Sequence, residues 1–118
     1  MSIYRKLTNS NFGHTAGDVV YSDADGLTLI AGGSLEVEKY NSGANSWNRH
    51  STMDNVIKYK TYSQFTSLVR NEIIYTFGGY VGDSIQCESR PNCIFDEKLN
   101  DVFYFDRQSH TWQKYYGR

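Results

Sequence analysis

The sequence predicts an all-β fold of short, repeated strands, and three observations carry that reading. Short runs rich in Tyr, Val, Ile, Thr and Phe alternate with turn residues, helical periodicity is nearly absent, and one strand–turn pattern occurs twice. Aromatic residues make up 15% of the chain and are spread along it, and the one proline, Pro91, interrupts none of the runs.

The elements follow in chain order. YRKL (4–7) opens the series, and TAGDVVY (15–21) ends in strand formers before the turn SDADG. LTLIAG (27–32) is almost continuously apolar, the composition of a strand covered on both faces. LEVEKY (35–40) alternates instead, with Leu35, Val37 and Lys39 on one face and Glu36, Glu38 and Tyr40 on the other. NSGAN then turns the chain into SWNRH (46–50). YSQFTSLV (62–69) and EIIYTFG (72–78) are joined by the short turn RN, and DVFYFD (101–106) passes through DRQSH into TWQKYY (111–116).

The repeat ties these runs together. LTLIAGG ends at Gly33 and IIYTFGG at Gly79, 46 residues later. After the first pair comes LEVEKYNSGANSW, with Tyr40 and Trp47 seven residues apart; after the second comes NDVFYFDRQSHTW, with Phe105 and Trp112 at the same spacing. Val37 matches Val102, Asn41 matches Asp106 and Ser46 matches Thr111. This pattern of apolar strand, double glycine, aromatic and tryptophan resembles the kelch repeat, the blade unit of kelch β-propellers, over roughly residues 13–48 and 62–115. The resemblance implies two four-stranded antiparallel blades of an incomplete β-propeller. Unit one covers residues 11–50 and unit two residues 51–118, with a long loop at 80–101. Residues 1–10 are expected to hold the last strand of a missing preceding blade. One departure is that His14 matches a position the family often fills with histidine, where it is expected to hydrogen-bond structurally, while Phe65 stands there in unit two.

Within this resemblance the structural motif residues are Gly32, Gly33, Tyr40 and Trp47 in unit one, and Gly78, Gly79, Phe105 and Trp112 in unit two. Glycine is expected where the chain turns sharply beside close neighbours, with φ > 0 and no room for a Cβ. The aromatic and tryptophan side chains are expected to cover that backbone and fill the seam between blades, each contributing about 2–3 kcal/mol by burial. A phosphate cradle is the competing use of glycine pairs. GGYVGD lacks the G-x-G-x-x-G order, no helix pattern follows, and no Gly-Lys-Ser or Gly-Lys-Thr triplet occurs.

Composition narrows the function classes. Lys and Arg total 12 against 13 Asp and Glu, a formal net charge of −1, which opposes a dedicated nucleic-acid binder. No window approaches the roughly 18 apolar residues of a membrane helix. MSIYRKLTNS contains no apolar stretch of signal-peptide length, so the cytoplasm is the default expectation. Neither a G-x-S-x-G elbow nor H-E-x-x-H is present. His50 has no carboxylate or cysteine nearby at ligand spacing, and His110 sits in a polar turn where solvation is expected. A copper oxidase of the galactose oxidase type is the known enzymatic use of kelch blades; two units supply no such ligand set. No catalytic residue, metal or cofactor is expected.

The two units differ most after the double glycine, where unit two carries 19 extra residues. In kelch propellers this loop resembles those that emerge at one end and help form a binding face, so it is the candidate partner-binding element. Its candidate residues are Asp83, Ile85, Glu88, Arg90, Phe95, Asp96 and Glu97, an acidic set with apolar members. Cys87 and Cys93, in CESRPNC, are either two free thiols or a small local disulfide; two further ligands would be needed for zinc. The expected role is protein–protein binding. The alternatives are a piece of a larger kelch protein and, less favoured, part of a copper enzyme. Strands apolar on both faces also imply that two blades alone leave open faces. These faces are expected to be covered by the remaining blades of a longer chain or by self-association, with three copies giving a six-bladed ring.

Overall fold

The computed structural model describes residues 8–14, 16–83 and 97–117. The first sheet is a simple meander of β1 (Asp18–Ser22), β2 (Gly26–Ile30), β3 (Glu36–Asn41) and β4 (Ser46–Thr52), all antiparallel. The second contains β6 (Thr66–Arg70), β7 (Ile73–Phe77), β10 (Val102–Asp106) and β11 (Thr111–Tyr115), in the spatial order β11-β10-β7-β6. A third, small sheet joins β5 (Thr61–Ser63), β8 (Tyr80–Gly82) and β9 (Glu97–Lys98) in the order β5-β8-β9. The all-β expectation and both four-stranded antiparallel sheets are borne out, as open propeller-like blades. The expected strand at residues 4–7 lies outside the described residues.

Two sheets lying face to face make a slab of 45 × 39 × 20 Å, its short dimension that of two sheet layers. The seam between them is the core, where Ile30 and Val37 from the first sheet meet Ile74, Phe103, Phe105 and Trp112 from the second. The linker between the sheets, which supplies Met53, Ile57 and Tyr62, closes that core. Registers fix which side chains face inward. Thr28 pairs with Lys39 and Ile30 with Val37, while Phe103 pairs with Thr76 and Phe105 with Trp112.

The run 62–69, expected as one strand, is two. Gln64 takes a left-handed φ of 57° and donates its backbone N–H to Ala16 O, breaking the run between β5 and β6. No glycine or proline marks the break, so the sequence carried no turn signal there. Glu38 also departs from the simple alternation of β3: it and Val37 are both fully buried. The second sheet covers Val37, while residues 11–14 lie over Glu38, whose carboxylate accepts from Asn11 N, Phe12 N and His14 Nε2.

The two sheets are true repeats, in a register one residue away from that expected at the first glycine pair. Left-handed conformations fall at Ala31 (φ 49°) and Gly32 (φ 94°), matching Gly78 (φ 66°) and Gly79 (φ 106°). Ala31 N donates to Glu36 O as Gly78 N donates to Asp101 O. Gly33 is therefore not the counterpart of Gly79; alanine occupies the first position in unit one, and nothing in the structure explains that choice. The hairpin turns repeat as well. Asn45 (φ 49°) and His110 (φ 56°) hold the same left-handed place, and the side chains of Asn41 and Asp106 both accept from backbone N–H groups of their turns.

Gly79 shows why the pair matters. A Cβ there would lie 2.7 Å from the Tyr62 ring, 2.9 Å from Ser63 O and 3.0 Å from Phe65 Cβ, and its φ is left-handed. The nearest cover is thus Tyr62 and Phe65, not the tryptophan and aromatic expected from the sequence. Gly79→Ala is expected to lower stability by about 2–4 kcal/mol in a denaturant melt, since backbone and ring must both move. Gly43→Ala, where the nearest contact is Asn41 Oδ1 at 3.5 Å, is expected to stay within about 0.5 kcal/mol.

Candidate functional site

Three places in the structure gather chemistry: the seam between the sheets, the two tryptophan latches and the end that carries the long loop. The seam holds a continuous hydrogen-bonded chain. Trp112 Nε1 donates to Ser51 Oγ at 2.9 Å, Ser51 Oγ lies 2.7 Å from His50 Nδ1, and His50 Nε2 lies 2.9 Å from Asp25 Oδ1. Arg107 closes the chain from the opposite sheet, its guanidinium reaching both carboxylate oxygens of Asp25 at 2.7 Å. Ser22 Oγ donates to Asp25 as well. Because the Asp25 carboxylate can only accept, the His50 proton sits on Nε2 and Nδ1 accepts from Ser51. His110 adds a second strap, donating from Nε2 to His50 O at 2.7 Å.

A carboxylate, an imidazole and a hydroxyl in line have the order of an acyl-transfer relay. Here all three are buried, and the Ser51 hydroxyl is already committed to Trp112 and His50. The chain is an interface bolt, with the polar groups of both sheets satisfied inside an apolar seam. Burial pushes the His50 imidazole below its ordinary value, and the hydrogen bond to Asp25 opposes this without reversing it. Burial also works against ionisation of Asp25, but the hydrogen bonds from Arg107 and His50 outweigh it and hold its carboxyl below the usual range. The sequence reading gave His50 no carboxylate neighbour. Asp25 is 25 residues away and only the β1–β2 turn brings it there, so no local spacing could reveal the pair.

Each tryptophan is held by residues that precede its own sheet in the chain. Trp47 Nε1 donates to Thr8 O and Asn11 Nδ2 donates to Trp47 O, at 2.8 and 2.9 Å. In the second sheet Trp112 Nε1 meets Ser51 Oγ, and Asn55 Nδ2 donates to Trp112 O at 3.0 Å. Tyr40 and Phe105 lie against these indoles, with ring centroids 5.2 and 5.7 Å apart. His14 bridges Ala31 O and Glu38, a structural role of the kind its position suggested. Asn11 and Asn55 went unnoticed in the sequence, because each lies in a linker far from its tryptophan, 36 and 57 residues upstream, with no fixed spacing to reveal the pair.

At the double-glycine end the chain leaves β7, forms β8, and returns as β9 beside it. Val81 is fully buried, and Tyr62 on β5 donates its hydroxyl to Gly78 O at 2.6 Å while accepting from Thr76 Oγ1 at 3.1 Å, so this small sheet is keyed into the core. Burial pushes the Tyr62 phenol well above its ordinary value. Residues 80–82 and 97–98, expected as loop, are therefore the paired stem of the loop. Asp83 and Glu97 stand exposed at its exit, with Glu97 accepting from Tyr59 OH at 3.1 Å. Ile85, Cys87, Glu88, Arg90, Cys93, Phe95 and Asp96 lie outside the described residues. Among the described residues, no three His, Cys, Asp or Glu side chains come together to hold a metal ion.

The bolt makes stability pH-dependent with a definite sign. A histidine whose folded value is depressed is favoured neutral, so its contribution is complete above about pH 6.5 and is lost as pH falls through its lower folded value. Asp25, also depressed, adds a loss in the same direction below the usual carboxylate range. Melts of the wild type and of His50→Gln are expected to converge as pH drops from about 7 to 5; a difference that is flat or grows in acid would show that His50 is not held neutral. Trp112→Ala is expected to cost about 3–5 kcal/mol, because the cavity opens in the seam and leaves Ser51 without its donor. Equilibrium unfolding checks it.

Residues 61–115 match the family model of the kelch motif, and no curated protein matches the chain. The matched segment runs from β5 to the end of β11, the strands of the second sheet and its accessory sheet. The register ties the first sheet to the same pattern through Val37 and Val102, Trp47 and Trp112, and Ala31–Gly32 with Gly78–Gly79. Two open, propeller-like blades with this match at their second unit identify residues 61–115 as a kelch motif.

Proposed function

We propose that the chain is a protein-interaction module of the kelch type, binding a protein partner through the loop between β8 and β9. One observation carries this reading. Unit two spends an additional three-stranded sheet, anchored by the buried Val81 and by Tyr62, on supporting a loop that unit one lacks. A rigid base lowers the ordering cost that a binding loop incurs, whereas a loop of no use needs no such stem. Asp83 and Glu97 at the loop's exit, with Glu88 and Asp96 in its sequence against Arg90, favour a partner with a basic surface. Ile85 and Phe95 supply the apolar contacts that the centre of an interface needs. Kelch motifs serve mostly as interaction domains, and this chain is read as non-enzymatic on that basis.

The test is a two-step binding experiment. A partner captured by the intact chain is measured against a variant in which residues 84–95 are replaced by a short Gly-Ser turn. Affinity is expected to fall at least tenfold, and wild-type binding to weaken with added salt. Because the replaced residues lie beyond the β8–β9 stem, the melting temperature is expected to stay close to that of the wild type. Full affinity after replacement, with the fold intact, would place the binding surface elsewhere.

A further inference from the structure

The two broad outer faces of the slab are unfinished, and the register shows how they relate. On the rear of the second sheet stand Leu68, Tyr75, Phe77, Tyr104 and Tyr115, aligned through the pairs Leu68–Tyr75, Tyr104–Tyr75, Val102–Phe77 and Val102–Tyr115. Tyr115 sits edge-on to both Tyr75 and Tyr104, at 6.1 and 6.2 Å. The face is open to solvent: Leu68 is 42%, Phe77 38% and Tyr115 42% exposed, and a groove of about 420 Å³ runs between Leu68, Tyr75, Phe77 and Tyr115. On the front of the first sheet Val19 is 49% and Tyr21 65% exposed, beside the half-buried Leu27 and Leu29.

These are the same two lattice surfaces that already mate inside the chain. Matching Ala31–Gly32 with Gly78–Gly79 and Val37 with Val102 sets Val20, Thr28, Ile30 and Lys39 in the places of Leu68, Tyr75, Phe77 and Tyr104. It likewise sets Val19 and Leu29 in the places of Ser67 and Thr76. The internal seam joins a rear face of small residues to a front face of large rings. The outer pair sets the wide rings of the rear against Val19, Tyr21, Leu27 and Leu29 on the front. Across the internal seam the β1–β2 turn meets the β6–β7 turn, where Ala24 N donates to Glu72. The faces lie on opposite sides of a 20 Å slab, so no molecule can join its own pair.

We propose that the rear face of the second sheet binds the front face of the first sheet of another copy of this chain, head to tail. The contact is heterologous, so copies add in one direction until a ring closes. It uses surfaces distant in kind from the loop, and stands independently of the loop-binding reading.

Sedimentation velocity over a wide concentration range tests it. The wild type is expected to sediment as a concentration-dependent assembly larger than a monomer. Leu68→Glu with Tyr115→Glu, on the rear face, and Val19→Glu with Tyr21→Glu, on the front face, are each expected to be monomeric. Mixed together, they are expected to form a dimer of one copy each and nothing larger, because one intact rear meets one intact front. All four positions are exposed, and far-ultraviolet circular dichroism checks that both variants are folded; should either unfold, Phe77→Asp replaces the rear pair and Tyr21→Asp the front pair. A wild type that stays monomeric throughout, a front-face variant that still self-associates, or a mixture that forms no dimer would each overturn the proposal. Replacing residues 84–95 is expected to leave the assembly unchanged.

Discussion

Everything in this chain depends on holding two sheets face to face. Each sheet is apolar enough to need cover and too thin to supply its own, so neither is stable until the other arrives. Ile30 and Val37 share one buried core with Ile74, Phe103, Phe105 and Trp112 of the other sheet. Such contact is not directional, and on its own it would let one sheet slide over the other. The bolt from Trp112 through Ser51, His50 and Asp25 to Arg107 supplies the direction, because each of its members has one geometry that satisfies it. Specificity of alignment therefore comes from polar groups, and the energy of association from the rings beside them.

The linker between the sheets serves both tasks. Met53 and Ile57 fill the end of the seam, Asn55 ties down the β11 backbone, and Tyr62 crosses to the double-glycine end. Tyr62 is stacked on Phe65 at 4.3 Å and edge-on to Phe103 at 5.9 Å, and Gly32 N donates to its carbonyl at 2.7 Å. One residue thus touches both four-stranded sheets and the accessory sheet. The close approach that forbids a Cβ at Gly79 is the other side of this arrangement: the ring can lie there only because glycine does.

Much of the fold was legible in the sequence because strands announce themselves locally. The apolar runs, the turn clusters and the twofold recurrence of aromatic and tryptophan at fixed spacing placed eight of the strands to within a few residues. What escaped was set by tertiary contact. Gln64 adopts a left-handed conformation because Ala16 O accepts its N–H, a partner 48 residues away. β8 and β9 are too short to show a period, and exist because β5 offers them an edge. Glu38 looked like the solvent side of an alternating strand and is buried, since three donors from residues 11–14 converge on it. The interface bolt was illegible for the same reason: its members are scattered from Asp25 to Trp112, and only the packing of the two sheets gathers them. The first glycine pair was misplaced by one residue because an alanine, the poorer residue for that conformation, holds the first left-handed position.

The tryptophan latches also dictate when each sheet can be finished. Ser51 meets the Trp112 indole 61 residues later, and Thr8 meets Trp47 after 39. The groups that latch a sheet's tryptophan are made before that sheet and its closing strand last, so during synthesis they must wait, unlatched, for almost the whole unit to emerge. Sheet two waits longer, since the accessory hairpin and its loop lie in between. Long waits of this kind place much of the ordering entropy before the contacts that offset it, which slows folding. A nascent chain stopped just short of Trp112 would lack the largest buried ring of the seam and the indole that Ser51 awaits, so the seam stays partly open and exposed to misassembly until the last strand is added.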